Sequence, residues 1–198
     1  MTRALAAFLA VVAGCALAAR SEPRELRSFA PELASPASFA GPTCARIRLG
    51  RVVAGPSLRL AIQRRVSPVE LQTYETLRWT ESPDTYVRRA VVQALFARPL
   101  AQAVTGPAHV LDVEVVAFEE VVNPTGRAGR VMLRYELRST QQVVARGEAA
   151  VVRPASATAI DAVVAAIGDA LTAASGQLAD EVVAAACAIK AQQDLATD

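Results

Sequence analysis

Histidine is almost missing from this 198-residue chain: there is one, His109, alongside three cysteines. A single imidazole with no second histidine cannot supply a histidine-based metal site, and a lone histidine opening a predicted strand is most simply structural or surface-exposed. No glycine-rich loop leads into Lys-Ser or Lys-Thr, so the usual phosphate cradle for a nucleotide is lacking. Should an ATP-driven machine be involved, its motor is another polypeptide. No nucleophile with a neighbouring base stands out either, so no catalytic residue is assigned and the chain reads as a non-enzyme. Charge is nearly balanced, 21 Lys and Arg against 19 Asp and Glu for a net +2, too even to mark a nucleic-acid binder. No stretch reaches 18 uninterrupted apolar residues, so beyond the N-terminus the chain reads as an aqueous domain.

What is present starts at the N-terminus. Met1-Thr2-Arg3 carries one positive side chain, and the apolar run Ala4 to Ala13 that follows is about half of the roughly 20 residues needed to cross a bilayer. This is the pattern of a secretory signal, to be excluded from fold reasoning. Its end, Val12-Ala13-Gly14-Cys15, resembles a bacterial lipobox, in which an aliphatic residue and two small ones precede a cysteine that receives a diacylglyceryl group. Cleavage would leave Cys15 as the first residue, carrying diacylglyceryl and N-acyl chains. Buried methylenes contribute about 0.8 kcal/mol each, and two or more chains anchor stably. Ala16 in place of Asp favours the outer membrane over the inner.

The expected organisation is a signal peptide at 1–14, a lipidated cysteine and linker at 15–43, one domain at 44–190 and a tail at 191–198. The linker is rich in Ala, Ser and Pro, although "RELRSFAPEL" within it could supply one short strand. "CARIRLGRVVAG" and "SLRLAIQRR" alternate with a period of two and read as half-buried strands, with Leu58, Leu60 and Ile62 inward in the second. Ser82 as N-cap and Pro83 at the first helical position open a helix that Pro99 should end near Arg98. "HVLDVEVVAFEEVV" and "RVMLRYELRS" are strands joined by the turn-forming "NPTGRAG", and "QQVVARGEAAVV" is another. Thr158 and Asp161 suggest a capping box for a long final helix, in which Ile160, Val164, Ile167, Leu171, Ala174, Leu178 and Val182 form one apolar stripe. The order implies an α+β, layered fold: a mainly antiparallel sheet with two helices packed on one face.

Cys44 and Cys187 form an even pair in an oxidising compartment. A bond between them would stabilise by roughly 4 to 5 kcal/mol, less any strain; two buried thiols are the alternative. Asp112, Glu114, Glu119 and Glu120 admit a paired-carboxylate reading, but more simply form a strand's solvated edge. Arg46, Arg48, Arg59, Arg64 and Arg65 group in one region of the sequence, as a solvated face or a surface for anionic headgroups or an acidic partner.

The run from Ile62 through Arg65, Ser67, Glu70, Leu71, Tyr74, Arg78, Trp79 and Glu81 to Pro83 resembles the motif of the ABC-type transport auxiliary lipoprotein family. The strands "LDVEVVAFEEV" and "RVMLRYELRS" and the Ala- and Leu-rich closing helix extend that resemblance over most of the mature chain. It implies a non-enzymatic outer-membrane lipoprotein on the periplasmic face of a Gram-negative cell, without cofactor beyond the lipid on Cys15. It further implies an MCE-domain protein as partner, an inner-membrane ABC transporter as the indirect one, phospholipid or another hydrophobic cargo, and a possible homo-oligomer that receives the tip of the MCE tube. Arg65, Tyr74, Arg78, Trp79, Glu81 and Pro83 would be partner-binding or structural, with packing the simpler role for Trp79 and Tyr86. A structural lipoprotein that stabilises an outer-membrane assembly without handling lipid is the competing reading.

Overall fold

The computed structural model describes residues 25–34, 44–96, 101–104, 108–139 and 142–195. In chain order its elements are β1 (Arg27–Phe29), β2 (Ala45–Ala54), β3 (Ala61–Arg65), β4 (Leu71–Trp79), α1 (Pro83–Phe96), β5 (Ala101–Ala103), β6 (His109–Asn123), β7 (Gly126–Ser139), β8 (Gln142–Pro154) and α2 (Ile160–Leu195). All eight strands belong to one sheet.

The long strand β6 is its spine. Along one edge β6 pairs antiparallel with β7 over its whole length, and β7 pairs antiparallel with β8. Its other edge is shared end to end: β2 runs parallel beside the first half and β3 parallel beside the second. From there the sheet forks, β5 adding to β2 and β4 then β1 adding to β3.

Both helices lie against one face of this sheet and against each other. The alternation of β7 explains the packing, since Val131, Leu133, Tyr135 and Leu137 are buried beneath α2 while Arg134, one of the residues between them, is exposed. The α2 stripe from Val164 to Val182 is buried throughout. This helix is long and apolar enough to cross a membrane by length and composition, but most of its apolar surface faces the sheet, as in the core helix of a water-exposed domain. Gly129 lets it approach closely, because a Cβ there would sit 2.3 Å from the Ile167 nitrogen. Cys44, just before β2, is bonded to Cys187 on α2, with their Cα atoms 5.4 Å apart.

The expectation of a mainly antiparallel sheet is overturned: four of the seven strand pairings are parallel, and the sheet is mixed. A period of two reports that a strand is half-buried but not which way its neighbour runs. The Gly55-Pro56 turn does not fold β3 back against β2. Instead the chain turns and continues in the same direction, so β2 and β3 both parallel β6 without pairing with each other. Leu60, expected inward, lies before β3 and is 43% exposed. The capping box also differs, because Ala159 accepts the Val163 N–H and α2 begins only at Ile160.

Ahead of residue 44, the short strand expected within "RELRSFAPEL" is present and pairs with β4. Pro31 is buried, the Ala34 N–H lies 3.4 Å from Thr172 Oγ1, and a Cβ on Gly168 would meet the Glu32 carbonyl at 2.5 Å. Residues 27–34 are thus seated on the domain.

Candidate functional site

Of the motif, Arg65, Tyr74, Arg78, Trp79, Glu81 and Pro83 fall into two clusters and one exposed position, Arg78. The first cluster is aromatic. Trp79 at the end of β4 meets Phe118 of β6 edge-on at 5.1 Å and Tyr86 of α1 at 6.3 Å, while Tyr86 and Phe118 stack at 6.2 Å. All three are buried. The Trp79 N–H donates to the Leu60 carbonyl at 2.6 Å and the Thr80 N–H to Phe29 O at 2.9 Å, which ties β4 to β1 and to the approach to β3. The Tyr86 hydroxyl lies 2.6 Å from Thr80 Oγ1 and accepts the Glu81 N–H at 3.2 Å. Glu81 pairs with Arg89, whose guanidinium lies over the Tyr86 ring, and Pro83 starts the helix, buried. This part of the motif is a joint between helix and sheet.

The second cluster surrounds two adjacent carboxylates. Glu119 and Glu120 are 1% and 0% exposed, against the expectation of a solvated strand edge. Neighbours on a strand point to opposite faces. Glu120 therefore lies on the helix side, opposite Gly129, and Glu119 on the other, opposite Arg130. Arg65 grips Glu119 with two N–H groups at 2.6 and 3.2 Å, and Arg130 adds a third at 3.3 Å. Arg127 pairs with Glu120, the Tyr74 hydroxyl donates to Glu120 at 2.6 Å, and Arg127 reaches that hydroxyl at 3.0 Å. Arg64 lies over the Tyr74 ring at 5.0 Å and donates twice to Gln72. Burial, and then the hydrogen bond to Glu120, push the Tyr74 hydroxyl above the ordinary tyrosine range. The hydrogen bond to Glu119 does the same for Arg65, and that to Glu120 for Arg127. Both carboxylates thus meet donors that stay charged or protonated, which is what makes buried ions tolerable. Such an arrangement ties β3, β6 and β7 together through the two carboxylates.

Arg78, the remaining motif residue, is exposed on β4. The five arginines grouped in sequence are not brought together. Arg48 is level with Val110 and Arg64 with Glu120, ten residues apart along β6, or about 30 Å at the strand rise.

On the face away from the helices, charges interlock across β6, β7 and β8. Arg134 reaches Glu114 at 3.1 Å and Glu148 at 3.6 Å, Arg138 pairs with Asp112, and Arg146 meets Glu136 at 3.0 Å. Most of these residues, together with Arg51, line a shallow depression of about 530 Å³. Asp112 also accepts the Arg51 N–H at 2.7 Å and so holds the irregularity between Leu49 and Val52. His109 begins β6 with its Nδ1 buried and unpartnered, and burial lowers its pKa. Among the described residues no group of three or more His, Cys, Asp or Glu is placed to hold a metal ion. Cys15 and the rest of the signal lie outside the described residues.

Residues 28–179 match the model of the family described as ABC-type transport auxiliary lipoprotein component. No curated protein matches the chain. Among solved structures, it is similar to a protein from Xanthomonas campestris, with a TM-score of 0.72 and 25% identity, over 85% of this chain and 98% of that one. A second, uncharacterized protein gives a TM-score of 0.64 at 14% identity over 80% of this chain and 99% of its own. A hypothetical protein from Chlamydia trachomatis gives 0.51 at 8% over 73% and 98%. The last two show a shared fold.

Proposed function

Since the chain belongs to the ABC-type transport auxiliary lipoprotein family, we propose that it serves, without catalysing a reaction, as the outer-membrane component of an MCE-based lipid-transport system. Lipid chains on Cys15 hold it on the periplasmic leaflet, and its domain receives the end of the MCE protein whose partner is the inner-membrane ABC transporter. The family match over residues 28–179 carries this reading. Two features support it. The sequence Val12-Ala13-Gly14-Cys15 supplies the attachment site, and the acidic pair Glu119 and Glu120 is consumed by structural arginines, which suits a rigid adaptor better than a general acid or base.

The test is capture of the full-length chain from detergent-solubilised membranes and identification of what accompanies it. An MCE-domain protein together with an ABC permease is the expected result. Companions drawn from an outer-membrane assembly or secretion machine, with no MCE protein among them, would replace this reading with that of a structural lipoprotein.

A further inference from the structure

The least covered large apolar side chain among the described residues is Val69, 95% exposed at the tip of the β3–β4 hairpin. Pro68 before it and Leu71 after it are also exposed. The loop is nonetheless built to one shape. The Val66 N–H donates to the Glu70 carbonyl at 3.1 Å, and the Glu70 N–H lies 3.1 Å from Ser67 Oγ. At its neck Arg64 is fixed by Gln72 and the Tyr74 ring, and Arg65 by Glu119. A braced loop that offers valine and proline to solvent, with the Arg64 guanidinium at its base, has the polarity order of a bilayer surface: apolar at the leading point and cationic behind it.

The chain's own geometry says which surface lies there. Strand β1 runs parallel to β4, with Arg27 beside Leu77 and Phe29 beside Trp79. The polypeptide ahead of Arg27 therefore enters from the side of Leu71 and the hairpin tip. Because residues 27–34 are seated on the domain, only the twelve residue steps from Cys15 to Arg27 remain as tether, at most about 43 Å when fully extended. From Arg27, level with Leu77, the tip at Val69 is about 25 Å away at the strand rise. Anchor and tip can thus share one plane.

We infer that the Pro68-Val69 tip is a second membrane contact, dipping into the headgroup boundary of the bilayer that holds the lipid chains and setting the domain's tilt. This rests on the anchor at Cys15. Glu70, directly behind the tip, keeps the contact shallow.

The test uses the exported, lipidated chain that begins at Cys15, in vesicles containing brominated phosphatidylcholine, a quencher confined to the acyl region. Trp79, the sole tryptophan, is buried, so the parent protein reports folding and sets the unquenched baseline. In Val69→Trp the added fluorescence should be quenched by the brominated lipid. In Val143→Trp it should not, because Val143, an exposed valine, sits at the opposite end of the sheet, level with Arg138 and Val110. Equal, unquenched emission from both variants while the protein floats with the vesicles would overturn the tip contact and leave the anchor intact. Failure to float would remove the anchor, and the inference with it.

Discussion

The two faces of the sheet solve the same problem by different chemistry. Beneath the helices, β6 and β7 present Leu111, Val113, Val115, Phe118, Val131, Leu133 and Leu137, all buried. On the opposite face the same strands carry Asp112, Glu114, Arg130, Arg134, Glu136 and Arg138, tied across strands by ion pairs. The comparison teaches that pair number is a poor guide to strength. Most pairs on the uncovered face are well hydrated and contribute little, whereas those of Glu119 and Glu120 involve carboxylates almost without contact with water.

The sharpest way to probe the covered face is Phe118→Ala. It removes the ring against which Trp79 and Tyr86 both pack and should lower unfolding stability by about 4 kcal/mol in urea denaturation. Arg127→Ala comes next. It strands Glu120, whose side chain is 0% exposed, at a cost of about 3 kcal/mol, the low end for breaking a buried pair because Tyr74 still donates. The double variant Arg127→Met with Glu120→Gln should recover a good part of that loss. If it recovers none, the charge itself and not its burial governs the site.

Tyr135 connects the two faces' lessons, since its ring is buried but its hydroxyl donates to Glu181 of α2 at 2.8 Å. Burial, and then that hydrogen bond, push its pKa up to about 12 from an ordinary 10.0. The folded state therefore holds the proton more tightly than the unfolded one. Its contribution is complete below about pH 10 and fades as pH rises towards 12. Urea midpoints measured across that range should show this decline, and Tyr135→Phe should flatten it while costing about 1.5 kcal/mol at neutral pH. The smallest effect belongs to the uncovered face: Glu114→Ala, which removes a half-exposed partner of Arg134, should change stability by less than about 1 kcal/mol. A larger loss would show that the lattice acts as a network.

The clean alternation in β7 and the seven-residue stripe of α2 make their buried faces legible in the amino-acid order alone, because a single period governs each. Strand β4 is not legible in that way: in "LQTYETLRW" the side chains that pack against the core are Tyr74, Leu77 and Trp79, whose uneven spacing breaks the period of two. Strand direction escapes for the reason that undoes the antiparallel expectation, since parallel and antiparallel neighbours bury the same alternate residues. Strand β5, three residues long, is too short to carry a period. At the candidate site, the packing role of Trp79 is readable from its place before a capped helix. The burial of Glu119 and Glu120 is not, because their arginine partners arrive from Arg65, Arg127 and Arg130 on two different strands.

The Cys44–Cys187 bond closes a covalent ring that contains every strand from β2 to β8, all of α1 and α2 as far as Cys187. On the proposed reading, in which lipid chains at Cys15 hold the protein, a pull on the anchor would load the polypeptide from its N-terminal side. Then β1 and the segment seated on α2 would peel away first, after which Cys44 would pass the load to Cys187 through their bond. The residues ahead of the ring are slack that can be drawn out, while the bond limits how far the chain between Cys44 and Cys187 can be extended.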